Sequence, residues 1–162
     1  MSDVAAAAGV ARATVYRYFP NRQALLEELA QVALRDAGDR LRSARIDEVP
    51  VQEGVTRAVR ALLEVGAPLV VLVREAAATD TGAFEDRIAA PLRRLMDAGQ
   101  STGDVRDDIP SAWLVDVLIG QVVSIRSSSR SLGREDTIAA LTSLFLDGAH
   151  RRRPPAFPAS PT

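Results

Sequence analysis

The sequence predicts an all-α protein, with a helix-turn-helix unit at its N-terminus and a larger helical bundle behind it. Three observations carry this prediction. Alanine, leucine, arginine and glutamate, which favour helices, dominate the 162 residues. Apolar residues recur at helical spacing, and β-branched alternation is scarce. The hydrophobic fraction of 47% with 25% charged residues is ordinary for a globular protein, which excludes disordered and fibrous classes.

The first two elements are predicted to be short helices separated by a glycine. Residues 3–8 form the first helix, which Ser2 or Asp3 can cap and Gly9 can end. Residues 11–19 form the second helix, which the following Pro-Asn pair stops.

Six longer helices are predicted in the body. The apolar run of residues 69–73 could also form a buried strand, but we favour a helix because no partner strand is visible nearby. Pro91 predicts a kink inside its helix. Four prolines predict a disordered tail over residues 151–162. The six helices are expected over residues 22–42 or 22–45, 51–65, 69–78, 83–100, 111–128, and 135–150 or 135–152.

Composition excludes several kinds of chemistry. The chain has no cysteine, which rules out disulfides, thiolate metal sites and cysteine nucleophiles. Its one histidine, His150, cannot build a multi-histidine site. The acidic pairs Glu85-Asp86 and Asp107-Asp108 have no histidine, cysteine or phosphate-binding loop to work with, so we expect no enzyme activity, metal or cofactor. No apolar run reaches the length of a membrane span and no signal peptide is visible, so we expect a cytoplasmic protein without a membrane partner.

Charge is spread unevenly along the chain. All 20 basic residues are arginines. Residues 1–45 carry seven arginines against five acidic residues, whereas residues 46–150 carry ten against sixteen. A mildly basic start on an acidic body fits an anion-binding head with a different role behind it.

The second short helix offers a face suited to the major groove of DNA. Gly9 supplies the turn, Val10 is expected to fill the angle between the helices, and Ala5, Val15 and Phe19 are expected to point inward. Arginines on the opposite face can bind guanine in a bidentate manner, while tyrosine and threonine hydroxyls can bind phosphates. The spacing alone is also compatible with a plain helical hairpin that carries solvated arginines.

Residues 4–26 closely resemble the DNA-binding segment of TetR-family transcriptional regulators. The similarity lies in the AGV stretch of residues 8–10, the T-x-Y-x-Y-F pattern of residues 14–19 and a basic residue followed by a leucine pair. It implies a homodimeric repressor that binds double-stranded operator DNA and is released by a small-molecule effector. Tyr18 could instead pack on the long helix that follows. Carried over onto this chain, the DNA-facing residues are Arg12, Ala13, Thr14, Tyr16, Arg17, Tyr18 and Arg22.

Two departures from the family pattern bear on this expectation. Ala11 stands where the family usually has a serine or threonine cap, which costs about 1 kcal/mol of helix stability. The family also has a helix before the helix-turn-helix, whereas this chain starts at Met1, on the cap of the family's second helix. We therefore expect an incomplete three-helix head. The alternative is a helical ligand-binding homodimer whose DNA binding is impaired or lost.

The resemblance divides the chain into a DNA-binding segment, residues 1–26, and a ligand-binding and dimerisation domain, residues 27–150, before the tail. Arg74 could anchor a ligand carboxylate or simply extend to the surface. The apolar candidates could equally be plain core. The expected ligand-lining residues are Leu62, Val70, Arg74, Phe84, Ile88 and Trp113.

The helix expected over residues 111–128 is apolar on nearly every side. One side can face its own core, and the other needs cover, so we predict a four-helix dimer interface formed with the last helix. Gly120 would permit close approach of a partner helix. A buried central helix in a monomer is the alternative. The predicted interface residues are Leu114, Leu118, Val122, Ile125, Leu141 and Phe145.

Overall fold

The computed structural model describes residues 1–79, 82–127 and 132–150, and the side chains of all of these except residues 76–79. In these ranges the chain is all-α with no strand, and the helix bounds agree with the prediction to within two residues. The predicted proline-rich tail, residues 151–162, lies outside the described residues. The helices are α1 (Ser2–Ala7), α2 (Arg12–Tyr18), α3 (Arg22–Ser43), α4 (Val51–Val65), α5 (Pro68–Thr79), α6 (Gly82–Phe84), α7 (Ala90–Thr102), α8 (Ser111–Ser127) and α9 (Arg134–Ala149), and a π-helical turn, Glu85–Ala89, joins α6 to α7.

The apolar run at the start of α5 is helical, as predicted. Leu69 and Leu72 are buried three residues apart, while Val70, Val71 and Val73 are half-buried. This is the burial pattern of a helix with one face in the core.

The predicted disturbance at Pro91 takes the form of the π-helical turn. The N–H of Ala90 donates to the carbonyl of Glu85, five residues back, instead of four. Proline has no N–H to donate, and its ring crowds the carbonyl four residues earlier. The wider π-helical turn accommodates both constraints while the chain stays helical to Thr102.

The core is organised around α4. This helix contacts α3, α5, α7, α8 and α9, and its residues Val55, Ala58 and Val59 are fully buried. Close packing depends on two glycines. A Cβ on Gly54 would lie 2.6 Å from Leu95 Cδ1, and a Cβ on Gly99 would lie 2.6 Å from Val105 Cγ2. Larger side chains at these positions would force α4 and α7 apart.

Two expectations for the N-terminal segment, residues 1–26, which we call the head, are wrong in detail. Neither Ser2 nor Asp3 caps α1, because the helix begins at Ser2 and Met1 is its N-cap residue, with no side-chain cap hydrogen bond. Val10 is exposed instead of filling the angle between the helices. The turn is closed by the backbone, since the N–H of Val10 donates to the carbonyl of Ala5 at 3.0 Å.

No helix within the described ranges has both the length and the apolar character needed to cross a membrane.

Candidate functional site

The helix-turn-helix unit forms as the sequence predicts. Gly9 has φ of +66°, a left-handed conformation that glycine adopts without steric cost. Ala5 on α1 and Val15 on α2 are buried, and Phe19 is half-buried after the end of α2. These contacts hold α2 with its opposite face in solvent.

The exposed side of α2 carries most of the residues predicted to face DNA. Thr14 is half-buried in the first turn of α2, and Arg22 is exposed in the first turn of α3. Their contact with DNA stays a prediction. The exposed residues of α2 within the predicted set are Arg12, Ala13, Tyr16, Arg17 and Tyr18.

Two arginine–tyrosine pairs lie on this face. The guanidinium carbon of Arg12 is 5.3 Å from the centroid of the Tyr16 ring, and Arg12 Nη2 is 3.4 Å from the Tyr16 hydroxyl. Arg17 is 5.0 Å from the centroid of the Tyr18 ring, with Nη2 3.3 Å from its hydroxyl. Tyr18 is 66% exposed, so its ring does not pack on the long helix α3. It pairs with Arg17 instead. Sequence reasoning named all four residues but did not find their pairing.

The start of α3 is fixed by a side-chain cap. Asn21 Oδ1 accepts a hydrogen bond from the N–H of Ala24 at 2.8 Å. This N-cap was not predicted, although asparagine immediately before a helix is a recognised signal for one. The cap fixes where α3 begins, and Arg22 follows it directly.

A polar contact links the first turn of α3 to the body. Gln23 Nε2 donates to Glu75 Oε2 on α5 at 2.8 Å, across 52 residues of sequence. Because α3 also packs along α5, this hydrogen bond adds to the contacts that hold α3 against the body.

A second polar cluster, formed by Arg40, Arg60, Glu64, Arg134 and Glu135, joins α3, α4 and α9. Glu64 accepts hydrogen bonds from Arg40 and from Arg134. Arg60 binds both carboxylate oxygens of Glu135, at 2.7 and 2.8 Å. The hydrogen bonds from Arg60 hold the pKa of Glu135 below its ordinary value. Partners so distant in sequence could not be assigned from spacing.

The six predicted ligand-lining residues do not share one environment. Leu62 and Ile88 are core residues, while Val70 and Phe84 are half-buried. Arg74 is exposed, so it is not a buried anchor. Trp113 is 68% exposed, because it lies on the side of α8 that faces away from the core. We therefore withdraw Arg74 and Trp113 from the predicted lining.

A cleft of about 210 Å³ lies between the second half of α3 and the start of α7. It contains none of the six predicted ligand-lining residues. Its lining includes Gly38, Leu41, Ile46, Arg87, Pro91 and Arg94.

Most of the residues predicted for the dimer interface are buried in the core of the chain itself, so they are not available to a partner; an interface on these two helices stays a prediction. Of the six predicted residues, only Ile125 is exposed. The sequence could not choose between the two faces because α8 is apolar on both. The buried residues of the predicted interface are Leu114, Leu118, Val122, Leu141 and Phe145.

The apolar residues left in solvent by α8 and α9 lie on their outer sides. Trp113 and Val117 are one turn apart on α8 and are 68% and 50% exposed, while Leu144 on α9 is 66% exposed. Gly120 and Gly148 have open space where a Cβ would stand. We call Trp113, Val117, Gly120, Leu144 and Gly148 the outer face.

This arrangement is that of helix-turn-helix proteins with an all-helical body. The crystal structure of the TetR-like transcriptional regulator LfrR from Mycobacterium smegmatis in complex with proflavine has a TM-score of 0.70 and 23% identity, over 93% of this chain and 85% of that one. A tetR-family regulatory protein from Rhodococcus RHA1 has a TM-score of 0.71 and 14% identity, over 94% and 86% of the two chains. The TetR-family transcriptional regulator PfmR from Thermus thermophilus has a TM-score of 0.68 and 22% identity, over 92% and 88%.

Sequence similarity to known proteins is found in the N-terminal part of the chain. Residues 1–29 match the profile of the bacterial regulatory proteins of the tetR family. The chain is 38% identical over 73 residues to the HTH-type transcriptional repressor LfrR of Mycolicibacterium smegmatis (strain ATCC 700084 / mc(2)155). This stretch spans 45% of the chain and 38% of that repressor. The N-terminal segment is therefore similar to that of the tetR family, and the chain shares the fold of the solved TetR-family regulators.

Proposed function

We propose that this protein is a ligand-responsive transcriptional repressor that binds double-stranded operator DNA as a homodimer. The observation that carries the proposal is the exposed face of α2, where Arg12, Tyr16, Arg17 and Tyr18 follow a glycine turn. In this proposal residues 1–26 bind DNA, and residues 27–150 bind the effector and form the dimer.

The geometry of the head suits the major groove. A recognition helix enters the groove with its N-terminal residues nearest the base edges, and Arg12 is the first residue of α2. The start of α3 supplies Arg22 and helix N-terminal amides, which suit a phosphate. Phosphate contacts would position the head, and base contacts would specify the sequence.

The outer face is proposed to bind a second copy of the chain. From residue 112 to residue 125, the exposed side chains of α8 include one charged group, Asp116, which is unusual for a solvated helix. The two glycines allow close approach of partner helices. A dimer is also what operator recognition needs, because two heads must reach major grooves about 34–36 Å apart.

An effector is proposed to act by favouring a spacing of the two heads that does not fit the operator. Support comes from the relative LfrR, which was crystallised with proflavine. Within this chain, the Gln23–Glu75 hydrogen bond offers a route from α5 to the base of the head.

The test is a fluorescence anisotropy titration with DNA from the region upstream of the gene, at about 50 and about 200 mM salt. We expect sequence-specific binding that weakens by about a thousandfold between these salt concentrations if roughly six phosphates are contacted. Arg17→Ala should weaken binding. Arg42→Ala is the matched control, since it removes an exposed arginine near the other end of α3.

The same preparation distinguishes the two functions. Release of DNA on addition of proflavine would support an effector-controlled repressor. A protein that forms dimers and binds proflavine, but binds none of the upstream fragments specifically, would favour a ligand-binding homodimer without operator binding.

A further inference from the structure

The arginines of α2 and the ion-paired arginines of the body have different partners. In the body, Arg40, Arg57, Arg60, Arg93 and Arg106 all form ion pairs with carboxylates. On α2, Arg12 and Arg17 each stack on a tyrosine, and within the described residues neither has a carboxylate partner. A tyrosine ring can fix the geometry of a guanidinium while leaving its charge available to DNA.

We propose that Tyr16 is a positioning residue, which holds Arg12 for recognition of a guanine in the operator half-site. This inference rests on the proposed DNA-binding function and deepens it. The Arg17–Tyr18 pair is assigned a different role, contact with the phosphate backbone.

The position of each pair along α2 supports this division. Arg12 is the first residue of α2, and Tyr16 lies one turn later on the same side. Ala13 beside Arg12 has little bulk, so the helix start can approach the base edges closely. A residue there can present a guanidinium to O6 and N7 of guanine.

The second pair lies at the opposite end of α2. Tyr18 is the last residue of this helix, and the chain then passes through Asn21 into the first turn of α3. Arg22 and the amides of α3 make this end suited to phosphates. Arg17 and Tyr18 therefore extend a backbone-binding surface.

Stacking also lowers the entropic cost of recognition. A free arginine side chain samples many rotamers, and binding must select one. Tyr16 already restricts Arg12 in the DNA-free protein, with the guanidinium 5.3 Å from the ring centroid. Removing the ring should therefore cost affinity at the base that Arg12 contacts.

The experiment measures the affinity of variants of the 162-residue chain for the upstream DNA site that the wild type binds, and for a panel with each half-site base pair substituted in turn. The variants are Arg12→Ala, Tyr16→Leu, Tyr16→Phe, Tyr18→Leu, and Arg12→Ala combined with Tyr16→Leu. We expect Arg12→Ala to weaken operator binding about tenfold and to abolish the preference for guanine at one base pair. Tyr16→Leu should weaken binding severalfold and reduce preference at that same base pair.

Three comparisons within the panel separate positioning from direct contact. Tyr16→Phe keeps the ring and should stay within about threefold of the wild type. The double variant should bind no worse than Arg12→Ala, because Tyr16 acts through Arg12. Tyr18→Leu should weaken all sequences equally. Circular dichroism melts of each variant check that the head and body remain folded.

The alternative outcomes are distinguishable. If Tyr16→Leu weakens all sequences equally and adds to the effect of Arg12→Ala, Tyr16 contacts DNA itself and the inference is wrong. If the preference lost in Arg12→Ala is at no guanine, the base assignment is wrong. If the wild-type protein shows no sequence preference, the proposed function fails, and the inference fails with it.

Discussion

The head and the body of this protein are specified by different means. The body is held by a continuous apolar core that runs from α3 to α9, with residues such as Val59, Leu92 and Leu118 fully buried. The head buries Ala5 and Val15 and depends on a backbone-closed turn at Gly9. The stability of the body therefore depends on side-chain volume and burial, whereas in the head most side chains of α2 are exposed.

This difference has a consequence for stability. A large close-packed core unfolds cooperatively, whereas a small unit with few buried contacts can open locally at lower free energy. The head can thus open locally without unfolding the body. Asn21 and the Gln23–Glu75 hydrogen bond lie where the two regions meet.

The largest predicted effect compares core truncations in the two regions. Leu118→Ala should lower the free energy of unfolding by about 2–5 kcal/mol, because Leu118 is fully buried and its truncation leaves a cavity in the core. Val15→Ala in the head should change it by about 1 kcal/mol or less, since the small head, in which Val15 is buried, is expected to open locally before the body unfolds. Urea denaturation at one fixed protein concentration measures both. Equal losses would mean that the head and body unfold as one unit.

The next effect is expected on assembly and not on folding. Val117→Asp places a charge on the outer face, one residue from buried Leu118, and should dissociate the proposed dimer while the monomer stays folded. Trp113, the chain's one tryptophan, reports the change, because its emission should shift to longer wavelength when the partner leaves. Sedimentation measures the mass. Asp116→Asn, which changes a charge on the same helix, is the control, and a wild-type protein that is already monomeric would contradict the proposed dimer.

Some features of the structure could be predicted from the sequence, and others could not. Helix bounds, the turn at Gly9 and the disturbance at Pro91 could be predicted because they depend on local propensity and backbone chemistry. The inward face of α8 could not be predicted because Val117 and Leu118 are equally apolar, so burial depends on packing against α4 and α7. The Arg60–Glu135 pair was missed because it joins residues 75 positions apart. For the head, the seven residues predicted to face DNA came from the family resemblance, and the arginine–tyrosine pairing of four of them came from the structure.

A smaller effect is expected at the junction between head and body. Asn21→Ala removes the cap of α3 and should destabilise its first turn by about 1 kcal/mol, while Asn21→Asp keeps an acceptor oxygen and should not. Hydrogen exchange of the Ala24 amide measures this directly. Faster exchange in both variants would show that the asparagine amide group is needed, and unchanged exchange in both would show that the cap is dispensable.

The smallest effect is expected on the pH dependence of stability. It should differ between an arginine of the body that pairs with a carboxylate and an arginine of the head that pairs with a tyrosine. The pKa of Glu135 is lowered in the folded state by its hydrogen bonds from Arg60, so its stabilising contribution is present above the ordinary pKa of a glutamate and is lost as pH falls through the folded pKa. Both side chains are substantially exposed, so the contribution is small.

The difference in melting temperature between the wild type and Glu135→Gln should therefore shrink as pH is lowered from 7 to 3. The Arg12–Tyr16 pair contains no carboxylate to protonate, so the difference between the wild type and Tyr16→Leu should stay constant over this range. A Glu135→Gln difference that grows on acidification would show that the ion pair does not stabilise the fold. Both comparisons use a single exposed arginine pair. A difference in pH dependence between them therefore reports the chemistry of the arginine's partner, a carboxylate in the body and a tyrosine in the head.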